Sequence, residues 1–501
     1  MQNDTEPVKE KLIKDTLWYT ASVYVAQFFG MFSGFATRKF LEPTEMGVWV
    51  ILQTMLSYGL FAELGILTAM YCRVPVYEGL KDKNKVKETY NAAFTFVFCA
   101  AIFAMVIFTL IGFIKPLGHA TRIGMFAAGG MVLLTLVYNF YISLLWSWHR
   151  FKLLGWTIIL NAVLTVFFVF LWVKPWRLSG LYLSALITTA FSIVCIWVNL
   201  KVTPKLFFDR RVIFDLLRFG APIFAAGMIY TIFLSIDRVM IAKLISTEAL
   251  GLYSIATVVF SFSSTAPKMF SIVLFPRMQE EYASSGSVDR IVSMVIKPDL
   301  IIAFLSPVVL GLAYFLIPIM VRKILMKYTA GILAAQILLL GSFFLSLVYN
   351  VQNFLITVNK RTHSIPFLIL AIGAGLSLIY VFIKRGMGIE GVALAMSFTF
   401  FTYFLTLTCY VLRHFLGRRE VLIHLIQILF GYAYFIFWVI VIGLWAPVRS
   451  EYLSLIFKCL VFLAASLPAV LWADKKTSVL RYGFSTIRIK IKSTAAVGGN
   501  G

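Results

Sequence analysis

Charged residues are scarce in this sequence, and the scarcity limits what kind of protein it can be. Only 13% of the 501 residues are charged, against about 25% in an ordinary soluble domain. Hydrophobic residues make up 60% of the chain and the mean hydropathy is +0.89. Apolar runs of about 20 residues recur from end to end, and each can cross the hydrocarbon core as a helix. The short alternating segments of a membrane β-barrel are absent. The sequence therefore predicts an all-α polytopic membrane protein.

Cysteine is also scarce, and its spacing excludes two kinds of stabilisation. There is no CxxC pair and no spacing typical of a metal site, so we predict neither a disulfide framework nor a metal centre. All five cysteines lie in or beside apolar segments, where a thiol behaves as a small core residue. They are Cys72, Cys99, Cys195, Cys409 and Cys459.

The sequence lacks enzyme signatures. No P-loop and no HExxH pattern occurs, and no segment between apolar runs is long enough to form a soluble face for a nucleotide-sugar. We therefore predict that the protein is not an enzyme, with no catalytic residues and no cofactor.

The net charge of +23 is distributed among many short loops, which argues against nucleic acid as a partner. Lys and Arg are roughly twice as frequent in one alternate set of loops as in the other, and such a bias marks the cytoplasmic side. This distribution predicts a multi-pass protein with both termini in the cytoplasm.

The apolar runs predict about fourteen transmembrane helices, arranged as two parallel six-helix repeats and two C-terminal helices. The predicted spans are 16–37, 44–71, 89–114, 122–148, 153–173, 178–200, 219–245, 247–275, 298–321, 330–357, 364–383, 388–412, 422–446 and 451–473.

These spans suggest five regions. Residues 1–200 form an N-terminal six-helix bundle and residues 219–415 a C-terminal six-helix bundle, joined by a cytoplasmic connector at 201–218. Residues 416–473 add two transmembrane helices, and residues 474–501 form a basic cytoplasmic tail.

The connector has two interpretations. Arg211, Asp215 and Arg218 are spaced so that they share one helical face. The segment is therefore either an amphipathic helix lying in the membrane interface or the first turns of the seventh span, with long side chains reaching the interface.

A repeated motif supports the duplication. The first copy runs from Arg38 to Trp49 and the second from Asp237 to Tyr253. Each contains basic residues, a short turn, Thr-Glu, a glycine and an aromatic residue. A fainter echo relates 179–185 to 390–396, at a similar offset of about 200 residues. Because each repeat contains an even number of spans, both enter the membrane from the same side.

The motifs resemble those of a known family. The resembling stretches are FATRKFLEPTEMGVWVI (Phe35–Ile51), RFGAPIFAAGMIY (Arg218–Tyr230), SIDRVMIAKLISTEALGLYSIA (Ser235–Ala256) and the pair Pro276-Arg277. They are similar to the polysaccharide-biosynthesis flippases of the multidrug/oligosaccharidyl-lipid/polysaccharide exporter superfamily, which are bacterial proteins.

The resemblance implies a function and its partners. It implies a flippase in the bacterial cytoplasmic (inner) membrane that moves polyprenyl-pyrophosphate-linked oligosaccharide across the bilayer by alternating access, for cell-surface polysaccharide biosynthesis. The implied partners are the lipid-linked oligosaccharide, the phospholipid bilayer, H⁺ or Na⁺ as the coupling ion, and a polysaccharide polymerase or glycosyltransferases.

A pyrophosphate head group calls for basic residues in a hydrated cavity, because charge in hydrocarbon is costly. In the resembled family the cavity is lined mainly by the first two spans of each half. The ionisable residues in or beside those spans are Arg38, Glu63, Asp237, Arg238 and Lys268. Arg38 either contacts phosphate or caps its helix. Asp237 and Arg238 either line the cavity or have a structural role at the mouth of the seventh span.

Lys268 is the sharpest of these candidates. It follows Pro267 and lies about eight residues, or roughly 12 Å, inside its span. The repeat offset places it opposite residue 64, beside Glu63. We expect Lys268 to bind pyrophosphate, or to pair with Glu63 when the cavity is empty. The alternative is a lysine that reaches the interface on a lipid-facing side.

Energy coupling requires carboxylates inside the membrane that can bind and release a cation. Glu63 and Asp237 are the first candidates, and Asp299 and Glu390 lie nearer the ends of their spans. Lys458, in the last span, either reaches the interface or marks a groove for a lipid tail.

Two other functions compete with the flippase. A cation-coupled multidrug or organic-cation antiporter of the same superfamily would have a cavity dominated by carboxylates. A membrane-embedded oligosaccharide polymerase or ligase usually carries a sizeable extracytoplasmic loop, and no predicted loop here is long enough.

Overall fold

A computed structural model describes residues 6–114, 118–445 and 450–477. Most of the predicted basic tail, residues 478–501, lies outside the described residues. The described chain is helical, with sixteen α-helices and no strand. They are α1 Glu6–Phe40, α2 Pro43–Gly59, α3 Ile66–Gly79, α4 Lys83–Ile114, α5 His119–Ser147, α6 Phe151–Phe168, α7 Lys174–Leu200, α8 Arg210–Phe233, α9 Ile236–Leu244, α10 Thr247–Ser285, α11 Val288–Ile324, α12 Ile332–Thr357, α13 Ile365–Lys384, α14 Gly388–Arg413, α15 Arg418–Leu444 and α16 Glu451–Thr477.

The prediction of an all-α polytopic membrane protein is confirmed. Within the described residues, eleven helices are long and apolar enough to cross a membrane, and a bent pair, α2 with α3, brings the number to twelve. The stretch Phe151–Leu200 counts as one span in that total, and α1 is not among the twelve. The count of fourteen and the arrangement as two repeats stay predictions.

The stretch from α6 to α7 contains a break where the sequence predicts the boundary between two spans. A π-helical turn, Val169–Val173, joins the helices, and Arg177 adopts φ 49° and ψ −124°. A positive φ is unfavourable for a residue with a Cβ, so neighbouring contacts must hold it. The Arg177 guanidinium lies 3.0 Å from Glu45 and 3.4 Å from Glu42, at the start of α2.

The structure distinguishes the two interpretations of the connector. Residues 201–209 are not helical, and α8 runs without a break from Arg210 to Phe233. Asp209 caps this helix by accepting hydrogen bonds from the backbone N–H groups of Arg211 and Val212. Residues 210–218 are thus the first turns of the long helix, not a separate interfacial one.

The chain divides into two compact units, one ending at Ser254 and the other beginning at Ile255. In the first unit, α4 packs against α5 and α1 packs against α6. In the second unit, α12 is buried along most of its length and packs against α14 and α11. The predicted regional boundaries at 200, 218, 415 and 473 stay predictions.

The two copies of the repeated motif contact each other inside the first unit. A Cβ added to Gly47 would overlap the Thr247 carbonyl oxygen, and one added to Gly251 would overlap the Pro43 carbonyl oxygen. The contact is reciprocal. Gly251 is the equivalent of Gly47 in the second copy, and Thr247 is the equivalent of Pro43 at the same sequence offset. Such an exchange of equivalent contacts is typical of a two-fold relation, and glycine is required because backbone meets backbone.

Replacing either motif glycine should loosen this contact. We expect Gly47→Ala and Gly251→Ala each to lower the unfolding temperature of the detergent-purified protein by several degrees, since the new methyl group forces two helix ends apart. Gly30→Ala and Gly227→Ala are matched controls, because a Cβ there meets nothing within 4 Å and alanine favours the helix. Equal unfolding temperatures for all four variants would contradict the reciprocal contact.

Candidate transport site

The second predicted span is interrupted in its interior. Helix α2 ends at Gly59, a 3₁₀ turn follows at Leu60–Glu63, and α3 starts at Ile66. Leu64 and Gly65 both have positive φ, 48° and 84°, and the two helical pieces meet at a bend of 48°. The sequence predicts one continuous span over 44–71, so this break is an unexpected feature.

A second helix holds the break in place. Gly65 and Gly220 of α8 approach so closely that a Cβ on either would overlap the other's carbonyl group. Lower on α3, the Arg73 guanidinium lies 3.6 Å from Asp215 and 4.9 Å from the centre of the Phe219 ring. The break is therefore positioned by α8 over more than two turns.

A cavity of about 410 Å³ opens beside the break. Glu63, at the end of the 3₁₀ turn, is its one charged lining residue, and its Oε2 atom is buried without a hydrogen-bond partner. The remaining lining residues come from α3 and α5 and are largely polar or aromatic. They are Leu67, Thr68, Tyr71, Asn139, Ile142, Ser143 and Trp146.

This lining can bind a polar guest. Asn139, Ser143 and Thr68 supply donors and acceptors beside the Glu63 carboxyl group, and the faces of Tyr71 and Trp146 can pack on a sugar or a cation. Asn139 and Ser143 were not predicted from the sequence to be site residues. The signal was present as a polar residue inside an apolar span, one that faces protein or water rather than lipid.

The seventh predicted span is interrupted as well. Helix α8 ends at Phe233 and α9 begins at Ile236. Ser235, between them, has its Oγ atom 2.8 Å from the Tyr58 hydroxyl of α2. The interruptions of the second and seventh spans are thus linked within the first unit.

Asp237 and Arg238 follow this second interruption. Asp237 is 3% exposed, and its Oδ1 accepts a hydrogen bond from the Arg238 backbone N–H at 2.8 Å. It lies in the first turn of α9, where a carboxylate is favoured by the helix dipole. Arg238 is half-buried, and its Nε atom is enclosed without a hydrogen-bond partner. The two side chains therefore offer opposite charges at one helix start.

Arg38 connects the two motif copies. It is 5% exposed, its Nε atom donates to the Ser254 hydroxyl at 3.0 Å, and its Nη2 atom donates to the Ser254 carbonyl oxygen at 3.0 Å. Its Nη1 atom donates to the Gly34 carbonyl oxygen at 2.9 Å. The bond to the Gly34 carbonyl lies within α1, as a residue that caps its helix would form. A role of Arg38 in binding phosphate stays a prediction.

Lys268 belongs to the second unit, where its side chain is exposed and forms no ion pair with a described residue. Helix α10 passes through Pro267 without a break. Its pairing with Glu63 and its contact with pyrophosphate stay predictions.

Lys458 lies in a second cavity, of about 480 Å³, formed by α11, α12, α15 and α16 in the second unit. Its Nζ atom donates to the Gly443 carbonyl oxygen at 3.1 Å. Most of the lining is apolar, and its polar members besides Lys458 include Arg322, Gln336, Glu451 and Ser454. The groove for a lipid tail beside Lys458 stays a prediction.

Two of the predicted membrane spans, the second and the seventh, are thus interrupted beside charged residues. Solved structures share this helical fold. The chain matches "Lipid II flippase MurJ, inward closed conformation" with a TM-score of 0.69 and 14% identity, covering 92% of this chain and 99% of that one.

Two further solved structures share the fold. An inward-facing multidrug resistance MATE family transporter of the MOP superfamily matches with a TM-score of 0.67 and 12% identity, over 80% of this chain and 95% of that one. A MOP superfamily transporter from Pyrococcus furiosus matches with a TM-score of 0.54 and 14% identity, over 82% and 96%. A comparison with curated proteins gives no match.

The family whose description is "Polysaccharide biosynthesis protein" matches residues 12–281, more than half of the chain. The chain belongs to this family. The resemblance inferred from the repeated motif is confirmed.

The buried contacts of Arg38 should contribute to stability. Arg38→Ala leaves a cavity and removes the three hydrogen bonds to Ser254 and Gly34, so we expect a loss of about 2–3 kcal/mol and a lower unfolding temperature in detergent. Lys39→Ala is the matched control, since Lys39 is the next residue and is exposed. The assignment fails if the two variants unfold at the same temperature.

Proposed function

We propose that the protein is a flippase for polyprenyl-pyrophosphate-linked oligosaccharide and works by alternating access. The observation that carries the transport role is the break at Leu64–Gly65, with Glu63 facing a polar cavity. Helices broken at membrane depth, with charged residues beside the break, are typical of secondary transporters. Membership in the polysaccharide biosynthesis family supports the proposed substrate class.

The proposed architecture has fourteen spans in two parallel repeats. Among the described residues, twelve spans are long and apolar enough to cross a membrane when α2 and α3 are counted together as one. The break at Arg177 divides the stretch Phe151–Leu200 into two, and the 35-residue helix α1 supplies the last. The reciprocal contact of Gly47 and Gly251 supports the repeat relation.

The residues have separate roles in this proposal. Lys268 and Arg238 supply positive charge for the pyrophosphate. The Arg238 Nε atom is enclosed without a hydrogen-bond partner among the described residues, and the Lys268 side chain is exposed. Glu63 is the coupling carboxylate, which binds H⁺ or Na⁺, and Asp237 balances Arg238. The groove beside Lys458 accommodates the polyprenyl tail.

The proposed setting is the bacterial cytoplasmic membrane, with both termini in the cytoplasm. It follows from the excess of Lys and Arg in one set of loops. Polysaccharide polymerases and glycosyltransferases would consume or supply the lipid-linked oligosaccharide.

An organic-cation antiporter is the second candidate, and one observation favours it. The cavity in the first unit has a carboxyl group as its charged lining residue, and two aromatic rings stand beside it. A carboxylate with Tyr and Trp is a suitable site for a bulky cation. The fold is shared with a multidrug resistance MATE family transporter.

Reconstitution in liposomes separates these functions. We expect the wild-type protein to move a fluorescent polyprenyl-pyrophosphate oligosaccharide between leaflets, and a quaternary-ammonium dye not at all. Uptake of the dye in exchange for protons, without movement of the lipid, would establish the antiporter instead.

Lys268 provides the matching test of substrate binding. Lys268→Ala should lower the flipping rate at least tenfold, because one charge-assisted phosphate contact contributes about 1.5–3 kcal/mol, and Lys268→Arg should retain most of it. Lys152→Ala is the control, since Lys152 is an exposed lysine outside the predicted spans. A Lys268→Ala protein that flips the lipid at the wild-type rate would remove Lys268 from the site.

A further inference from the structure

The second unit contains a polar cluster that the proposed transport site does not use. It joins Asp299 of α11, Asn350 of α12 and His424 of α15, whose exposed fractions are 0%, 1% and 4%. The Asn350 amide Nδ2 donates to Asp299 Oδ1 at 2.9 Å. The Asn350 Oδ1 atom accepts a hydrogen bond from the Ser271 hydroxyl of α10. Four helices thus meet at one buried network.

The network is incomplete on one side. Asp299 Oδ2 lies 3.9 Å from His424 Nε2, too far for a hydrogen bond. Asp299 Oδ2, His424 Nδ1 and His424 Nε2 are all enclosed without hydrogen-bond partners. A buried carboxylate with one hydrogen bond and a neutral ring beside it is costly, whereas a carboxylate and an imidazolium at this distance attract each other.

We propose that Asp299, Asn350 and His424 form a buried proton-binding site that ties α15 to the second unit. Asn350 fixes the carboxyl group through Oδ1 and leaves Oδ2 directed at the imidazole. A neutral imidazole can already donate one N–H to Oδ2, so the additional proton acts by cancelling the net negative charge of the buried pair. It gives either an imidazolium beside the carboxylate or a carboxylic acid beside a neutral ring. After a movement of about 1 Å, the imidazolium and the carboxylate form a charge-assisted hydrogen bond.

The site would link proton binding to the position of an outer helix. Helices α15 and α16 both pack against α11, and the prediction from sequence adds them to the second bundle as an extra pair. Asp299 belongs to α11 of the predicted second bundle, and His424 belongs to α15 of the extra pair. Loss of the proton therefore weakens the attachment of α15, and gain of the proton strengthens it.

Other titratable groups stand on the helices around the cluster. Within two turns along the sequence they are Lys297 of α11, Lys268 and Arg277 of α10, Tyr349 of α12, and Arg418, Arg419 and Glu420 of α15. Helix α16, which packs against α11 and α15, carries Asp474 and Lys475 near its end. Glu420 is occupied at the start of α15, where its carboxylate accepts the Gly417 backbone N–H at 3.1 Å. The electrostatic partners of the Asp299 carboxyl group are His424 and Asn350.

The linkage predicts how stability depends on pH. Above about pH 7 the unfolded chain carries a proton on neither the aspartate nor the histidine. A folded pair that keeps one proton therefore binds one more proton than the unfolded chain does, so stability falls as the pH rises. The folding equilibrium constant should change about tenfold per pH unit over that range.

The test measures the unfolding of the full-length protein in detergent from pH 6 to pH 9. Asp299→Asn and His424→Gln should each remove the pH-dependent part, whatever their stability at pH 6, and the double variant should match them. Asp215→Asn and His119→Gln are matched controls at exposed positions, and both should retain the wild-type pH dependence. The measurement needs no transport substrate, so its outcome is separate from that of the proposed function.

Three results would overturn the proposal. The first is a wild-type protein whose stability against unfolding is the same across this pH range. The second is a pH dependence that survives in the Asp299→Asn and His424→Gln variants. The third is stabilisation by NaCl over KCl that disappears in Asp299→Asn without any pH dependence, which would make the cluster a sodium site.

Discussion

A helix that is interrupted inside a bilayer must find partners for its free backbone groups and for any charge beside them, because hydrocarbon supplies none. The first unit satisfies this constraint at Leu64–Gly65 with a glycine of α8 on one side and a polar cavity on the other. Only a cavity that admits water or a polar guest makes Glu63 tolerable at this depth. The function proposed for the chain depends on this one arrangement.

Tight and open regions alternate along α2 and α3. At the start of α2, Gly47 meets the second motif copy by backbone contact, and Arg38 adds three hydrogen bonds beside it. Seventeen residues further on, about 25 Å along a helix, the chain breaks beside the cavity. The structure thus combines a closely packed end, set by small residues, with a polar chamber near the middle of the span.

The general architecture could be predicted from the sequence, because a bilayer requires long apolar helices and these are visible as runs of residues. The repeated motif was equally visible, and each of its glycines contacts a residue of the other copy, Gly47 with Thr247 and Gly251 with Pro43. The breaks at Leu64 and Ser235 were not predicted. The residues around each break are apolar, so the sequence predicted one continuous span in each case. Gly65 alone did not show that Gly220, which is far away in sequence, would pack against it.

The partners of the charged residues were also beyond prediction. Asp299 was identified as a carboxylate near the end of a span, but Asn350 and His424 come from other helices, and only the packing of α11, α12 and α15 brings them together. Arg38 was identified as a phosphate ligand or a cap, and the structure adds Ser254 as its partner. Composition reveals which residues are costly in lipid, whereas tertiary structure decides what satisfies them.

The most direct test of the account is whether water reaches the cavity beside Glu63 in the membrane. Ser143→Cys, in a variant whose five cysteines are replaced by serine, places a thiol in the cavity lining. Val106→Cys on the exposed face of α4 and Ser192→Cys in the core are the comparisons. We expect a charged, membrane-impermeant thiol reagent to label position 143 well above the other two. Labelling at 143 as slow as at 106 and 192 would contradict the account.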